Sequence, residues 1–401
     1  MAVARRIPSA ATLGQVLLPR LGHPTALAGR LDARVAFDAG PNEQWSIHIN
    51  GRTVSLSPGL DPEADTTIRS DAETLLGVIE GRVSGVEAFL DGRLTVRGNL
   101  SLSLQMEGMF AMDAPRPARF PRPDHVVAAD IDTFYLEAGE GPPVVLVHGL
   151  GATNASMLPP LWDLARDHRV LAPDLPGFGD SSKPFRSYNA EFYASWLAAF
   201  LDETGIERAD IVGNSMGGRI AIELGLVAPE RVNRLVLLAP SPAFIKHRQF
   251  TGLVKYLRPE LAFVPLPLPH KRVVASTKQL FSKPERLPDA WYDAAADEFR
   301  RVFDSPSGRV SFFSAARQIY LEEPFGETGF WDRLPSLQPP SLFVWGQQDR
   351  LVPAKFAPRV ERALPAATSV VLPDCGHVPQ FELPEKTNAL IREFIGVGAA
   401  A

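Results

Sequence analysis

Gly213-Asn-Ser215-Met-Gly217 sets a serine between glycines two residues before and two residues after it. A strand read over Asp210-Ile-Val212 leads straight into it, and a segment rich in Ala, Ile and Leu continues to Val227. A strand that turns directly into a helix leaves no room for side chains on the inside of the turn, which is where the glycines fall. Such a turn lifts the Ser215 hydroxyl above a sheet, and the helix N-terminus behind it favours developing negative charge. The chemistry is nucleophilic attack, which a serine performs only when a base takes its proton and an acid orients the base.

The base is expected at His377, in Asp374-Cys-Gly-His377-Val-Pro379 after the strand Thr368–Leu372, where Gly376 is read as the residue that lets the loop turn back. The acid belongs after the preceding strand, and Trp345-Gly-Gln-Gln-Asp349 supplies Asp349. The competing position after Arg234–Leu238 reads Ala239-Pro-Ser-Pro242 and has no carboxylate. His148-Gly149-Leu150-Gly151 follows the apolar run Val144–Val147, so the Leu150 N–H can face the same point as the Met216 N–H. Two such donors form an oxyanion hole, each worth about 3–4 kcal/mol in the transition state. His148 itself is read as structural. Singly, Asp349 is an ordinary loop cap, His377 a surface histidine and Ser215 a turn serine. Together, in this order and each at a strand's C-terminal end, they point to catalysis.

The elements that must position these groups lie in a chain of 401 residues, enough for two or three domains. Hydrophobic residues at 45% and charged residues at 22% exclude disorder and collagen-like structure. A net charge of −5 gives no reason to expect nucleic acid as a partner. The single cysteine, Cys375, excludes an internal disulfide and a Cys-rich zinc site and fits a reducing, cytoplasmic setting. No metal or organic cofactor is expected. The longest uncharged stretch, residues 141–162, is broken by Gly, Pro and Asn, so no membrane-spanning helix is expected. Residues 1–31 carry four arginines and no acid, a pattern shared by transit peptides and by an ordinary helix. Leu13, Val16 and Leu17 favour the helix, ending before Pro19.

Four prolines within residues 113–123 predict an extended spacer between a first domain, 1–112, and a second, 124–396. In the first, Arg34–Phe37, Trp45–Ile49 and Thr53–Leu56 alternate as half-buried strands, with Asn50-Gly51 as a hairpin turn. Ala64–Ile68 and Arg93–Val96 read as further strands, with a helix from Ser70-Asp71 through Ile79 and another over Val86–Leu90. No catalytic constellation is visible there, and His23 and His48 read as surface or satisfied residues. The order strand, Ser-Asp, helix, Gly, helix, then Asp91-Gly-Arg-Leu-Thr-Val-Arg-Gly98, resembles the sterol carrier protein type 2 family over residues 20–112. That resemblance implies a small α+β domain with an apolar tunnel for fatty acyl or sterol ligands. The alternative is a domain that keeps the fold and only mediates packing.

From residue 124 apolar strands alternate with helical segments, which means a mostly parallel sheet covered on both faces. A helix over Asn189–Thr204 carries Phe192, Trp196 and Phe200 four residues apart. Residues 124–396 resemble the α/β-hydrolase superfamily, with Ser215 at the nucleophile position, Asp349 the acid, His377 the base and Leu150 and Met216 the oxyanion donors. The alternation stops between about 241 and 340, where the insertion resembles a helical cap. Its aromatics include Phe244, Phe250, Tyr256, Phe263, Phe281, Trp291, Tyr292, Phe299, Phe303, Phe312, Phe313 and Tyr320. They either line an acyl pocket or form the cap's own core, and Arg258, Lys271, Arg272, Arg300 and Arg301 either face solvent or meet carboxylates. The elbow Gly-Asn-Ser215-Met-Gly-Gly resembles that of meta-cleavage-product hydrolases, which split carbon–carbon bonds. Those usually carry Trp after the base histidine, where this chain has Val378. The expectation is a serine hydrolase of acyl, thio- or sterol-related esters, fed with apolar substrate by the first domain. Carbon–carbon hydrolysis and a non-catalytic receptor are the alternatives. The oligomeric state is not legible.

Overall fold

The computed structural model describes Gly14, Leu17 and residues 32–51, 53–106, 117–243, 259–263 and 267–396. The chain divides into two compact units, Met1–Arg122 and Pro123–Ala401. Arg122 and Pro123, placed by sequence in the spacer, instead open a strand, β6. Proline has no N–H to lose at such a position near a strand's start.

The first unit holds strands β1 (Asp32–Asp38), β2 (Gln44–Asn50), β3 (Thr53–Pro58), β4 (Thr66–Ser70) and β5 (Leu94–Gly98) in the order β3-β2-β1-β4-β5. Only the β1–β4 contact among them is parallel. Asn50 pairs with Thr53 across the β2–β3 turn, and Gly51 sits at φ 56°, a conformation that costs glycine nothing. Helix α1 (Ala72–Ile79) begins where the Asp71 side chain accepts the Thr74 N–H at 2.8 Å. Helices α2 (Gly85–Leu90) and α3 (Leu100–Met106) follow. Phe37, Ile68, Leu75, Phe89, Val96 and Leu104 are among the side chains lining an apolar cavity between sheet and helices. Of the expected first helix, Leu13 and Val16 lie outside the described residues, as does His23, while Leu17 is helical and fully buried.

The second unit is built on an eight-stranded sheet. Its strands are β6 (Arg122–Ala128), β7 (Ile131–Ala138), β8 (Pro143–Val147), β9 (Arg169–Pro173), β10 (Ala209–Asn214), β11 (Val232–Leu238), β12 (Ser341–Gly346) and β13 (Thr368–Leu372). They run in the order β13-β12-β11-β10-β8-β9-β7-β6. From β8 onward the neighbours are parallel, and β7 lies antiparallel to β9. Strands β10 and β12 are buried at every residue, the signature of a sheet covered on both faces. The helices around it are α4 (Leu158–Leu164), α5 (Ala190–Glu203), α6 (Met216–Val227), α7 (His270–Lys278), α8 (Asp289–Phe303), α9 (Pro306–Leu321), α10 (Phe330–Arg333), α11 (Ala357–Ala363), α12 (Pro379–Glu382) and α13 (Pro384–Gly396). In α5 the Trp196 and Phe200 rings stack at 5.7 Å in the core, while Phe192 is half-buried.

Among the described residues, helices α7–α10 lie in the insertion before β12. Phe303 and Phe313 pack with Ala262 and Val310 into a small core of the insertion, against which Phe299 and Phe312 rest. Phe263 is exposed. Phe244, Phe250, Tyr256 and Arg258 lie outside the described residues, as does the side chain of Tyr320. Lys271 and Arg272 face solvent. Arg301 meets carboxylates, bonding Asp180 at 2.6 Å and Glu298 at 2.6 Å.

Candidate active site

Strand β8 has its successor β9 on one side and β10 on the other, so the chain reverses its direction of winding there. Crevices at such a switch point, beyond the strands' C-terminal ends, are where open α/β sheets bind ligands. His148 follows β8, Ser215 follows β10, Asp349 lies just past β12 and His377 just past β13.

Ser215 stands at φ 54°, ψ −113°, a backbone conformation that side chains avoid. Its N–H donates to the Leu238 carbonyl at 2.9 Å. The glycines around it have steric reasons. A Cβ on Gly213 would lie 2.5 Å from the Gly217 carbonyl oxygen, and one on Gly217 would lie 2.1 Å from that of Val147. Gly149 brings the loop after β8 against the elbow, since a Cβ there would stand 3.3 Å from that of Ser215. Met216 opens α6, a position whose N–H finds no acceptor within the helix. Gly151 is left-handed at φ 72°, and a Cβ on it would meet the Phe299 and Phe312 rings at 3.0 Å. The two phenylalanines thus belong both to the packing of the insertion and to the wall above the loop that carries Leu150.

His377 Nδ1 lies 2.7 Å from Asp349 Oδ2. The other carboxylate oxygen accepts the N–H groups of Leu351 at 2.7 Å and Val352 at 2.9 Å. A carboxylate that only accepts requires the proton on Nδ1, which leaves the Nε2 lone pair free for a hydroxyl proton. Asn214 Nδ2 donates to the Leu238 carbonyl at 2.9 Å and to that of His377 at 3.2 Å, tying the histidine loop to the residue before Ser215. Ser215, Asp349 and His377 are all buried, at 7%, 5% and 5% exposure. A buried site of this kind strengthens every electrostatic contact within it.

Residues 142–384 match the alpha/beta hydrolase fold family, and residues 22–111 match the SCP-2 sterol transfer family. The chain belongs to the α/β-hydrolase family. Its second unit carries the hydrolase fold, and its first carries the SCP-2-type domain. A 2-hydroxy-6-oxononadienedioate/2-hydroxy-6-oxononatrienedioate hydrolase of Pseudomonas putida is 30% identical over 66% of this chain and 92% of its own length. A pimeloyl-(acyl-carrier protein) methyl ester esterase of Aeromonas hydrophila is 28% identical over 64% of this chain and 97% of its own length. Among solved structures, a membrane phospholipase A is 25% identical with a TM-score of 0.61, covering 79% of this chain and 93% of the other.

The remaining groups of the hydrolase site sort by what they touch. His148 accepts the Leu175 N–H at Nε2 (2.9 Å) and directs Nδ1 to the Gly149 carbonyl (2.8 Å). Both nitrogens are occupied, and burial pushes its pKa down to about 4, so it is a neutral strut. The left-handed residue of the histidine loop is Asp374, at φ 54°, and not Gly376. Gly376 is glycine because the insertion presses on it: a Cβ there would stand 2.2 Å from the Leu280 carbonyl oxygen.

Two buried carboxylates beside the site were not singled out from the sequence. Asp174 accepts the Asn154 N–H at 2.7 Å and the Asp180 N–H at 2.8 Å, joining the loop after β9 to the segment that follows Gly151. Its signal was the Asp-Leu-Pro-Gly-Phe-Gly179 run, in which a Cβ on Gly179 would collide with the carboxylate at 1.9 Å. Glu382 is the other. Among the described residues, no cluster of three or more His, Cys, Asp or Glu side chains is placed to hold a metal ion. No helix among them is long and apolar enough to cross a membrane.

Proposed function

We propose that the chain is a serine hydrolase of carboxylic esters, including long-chain acyl or sterol-related esters and thioesters, with Ser215 as nucleophile, His377 as base and Asp349 as its orienting acid. The observation that carries this is the Asp349–His377 pair at 2.7 Å, tied through Asn214 to a serine held at φ 54°. Ser215 Oγ attacks the carbonyl carbon while His377 Nε2 takes its proton. The oxyanion is held by the N–H groups of Leu150 and Met216, and His377 returns the proton to the departing alkoxide or thiolate. Water, deprotonated by the same nitrogen, then releases the acid and restores the serine. Likeness to an ester hydrolase and to a phospholipase supports an ester substrate. The apolar cavity of the SCP-2-type domain supports an apolar ligand there, delivered to the hydrolase. Such a pair of units suits a cytoplasmic enzyme handling poorly soluble acyl compounds.

The 30% identity to a hydrolase of a 2-hydroxy-6-oxo dienoic acid favours a second reading. Such a substrate has no ester, so its hydrolysis cleaves a carbon–carbon bond. One screen separates the two. A fluorophosphonate should label the wild type and not Ser215→Ala, and the same protein should turn over p-nitrophenyl esters with higher kcat/KM than a vinylogous diketone acid. Faster cleavage of the diketone overturns the ester reading. A wild type that is neither labelled nor active on any of these overturns both in favour of a receptor.

A further inference from the structure

We infer that Glu382 is a positioning residue for the candidate base, locking the backbone that carries His377 to the helical insertion; the inference rests on the hydrolase reading. Its side chain is fully enclosed, on the short helix α12 that follows the histidine loop. One oxygen accepts the Gly376 N–H at 2.6 Å and the Ser282 N–H at 3.1 Å. The other accepts the Lys283 N–H at 2.7 Å, and the Arg286 guanidinium stands 3.7 Å away. A single carboxylate therefore gathers the amide just before His377 and two amides of the insertion.

The same two segments meet again on either side. The His377 N–H donates to the Leu280 carbonyl at 2.6 Å, Arg286 Nη1 donates to the Asp374 carbonyl at 2.7 Å, and Lys283 Nζ lies 2.9 Å from the Asp374 carboxylate. Residues 376–377 are thus held by Leu280 from the insertion, by Glu382 from α12, which itself takes two insertion amides, and by Asn214 through the His377 carbonyl from the sheet side. Any neutral acceptor could satisfy one stray amide. A buried carboxylate is costly to desolvate, and three charge-assisted bonds are what offset that cost. The outcome is a stiff joint five residues from the imidazole. The placement of the insertion and the placement of the base become one variable, so an insertion shifted by a substrate that does not fit also moves the base.

The test uses Glu382→Ala and Glu382→Gln in the full-length chain. Three quantities are measured: kcat and KM on p-nitrophenyl butyrate, the thermal midpoint, and the low-field proton resonance of His377 Nδ1–H. Loss of the carboxylate should lower kcat by about 10–100-fold, the scale of a misplacement near 1 Å, with KM within about twofold of wild type. The Nδ1–H resonance should shift or broaden. Glu382→Gln should fall between, because its amide oxygen still receives Gly376 and Ser282 while its NH2 faces the Lys283 N–H. If Glu382→Ala does not fold, Glu382→Gln decides by the same criteria. A folded variant with wild-type kcat and an unmoved resonance overturns the inference. If the wild type hydrolyses nothing, the hydrolase reading fails, and the resonance alone decides whether Glu382 positions His377.

Discussion

At Ser215, Asp349 and His377 the proposed chemistry depends on three side chains acting as one unit. Ser215→Ala and His377→Ala should each lower kcat by roughly 10⁴–10⁶, and the double variant should be little worse, because the first removes the nucleophile and the second its activation, and neither works without the other. Asp349→Asn should lose somewhat less; a near-wild-type rate in steady-state kinetics would mean that another acid orients His377. Asp174 gives a second prediction, in pH. Burial, reinforced by the Asp180 charge, pushes its pKa up to about 7, against 3.8 for the free group. The folded state then binds the proton more readily between those values, so this group's contribution falls as pH rises from 3.8 to 7. Neutral His148 has the opposite sign between about 4 and 6.5. Asp174→Asn removes the falling contribution. Urea unfolding from pH 4.5 to 6.5 should show the variant gaining on wild type by about 1.4 kcal/mol per pH unit; parallel profiles would place the Asp174 proton outside this range. Ser215, Asp349 and His377 could be picked out as candidates from sequence because their spacing and their places after apolar strands carry the signal. Asp174 and Glu382 were not, since their partners are backbone N–H groups of remote segments, which no local pattern announces.

Elements hold these residues through a buried ionic joint. Arg219, one turn into α6 after Ser215, is fully enclosed. It bonds Glu223 at 2.9 Å and Glu322 at 3.0 Å and lies 5.0 Å from the Phe330 ring centre. Glu223 also accepts from the two terminal guanidinium nitrogens of Arg333, at 2.5 and 3.1 Å. The elbow helix is thereby fixed to the end of α9 and to α10. Glu223→Ala leaves Arg219 with Glu322 alone and removes two bonds from Arg333, so it should cost about 3 kcal/mol in urea unfolding, the lower end for breaking a buried ion pair. A loss below about 1 kcal/mol would mean that water reaches the guanidiniums. Strands with continuous apolar runs, and helices with side-chain caps such as Asp71 and Asn189, could be read from sequence because their signals are local. Other elements could not. Leu100-Ser-Leu-Ser-Leu alternates with the period of a strand yet forms α3, started by the Asn99 side chain accepting the Leu102 N–H at 2.9 Å. Strands β6 and β7 meet at Ala129-Asp130, both left-handed at φ 49° and 63°, in a turn that usually declares itself with Asn-Gly.

For the whole molecule the question is why an SCP-2-type domain and a hydrolase share one chain. Residues 113–121, between the expected end of the first domain and β6, would span about 28 Å as polyproline at ~3.1 Å per residue. They reach less, because the spacer expected to be extended turns where the Phe120 N–H donates to the Pro117 carbonyl at 2.9 Å. If the first unit delivers ligand as proposed, the tether would present it to the hydrolase at an effective concentration of order millimolar. This matters for a long-chain ester, whose free concentration in water is low, and not for a short aryl ester that diffuses freely. Deleting residues 1–112 should leave kcat/KM for p-nitrophenyl acetate nearly unchanged, because Ser215, Asp349 and His377 all lie in the second unit. The same deletion should lower kcat/KM for a long-chain ester several-fold, and the isolated first unit should bind a fluorescent fatty acid in the cavity walled by Phe37, Leu75, Phe89 and Leu104. Equal losses on both esters would make the first unit a structural support for the second. No loss on either, with no fatty acid bound, would make it an assembly module. Leu75→Trp separates delivery from support within the intact chain, because it fills the cavity and leaves the tether in place. It should reproduce the long-chain defect alone.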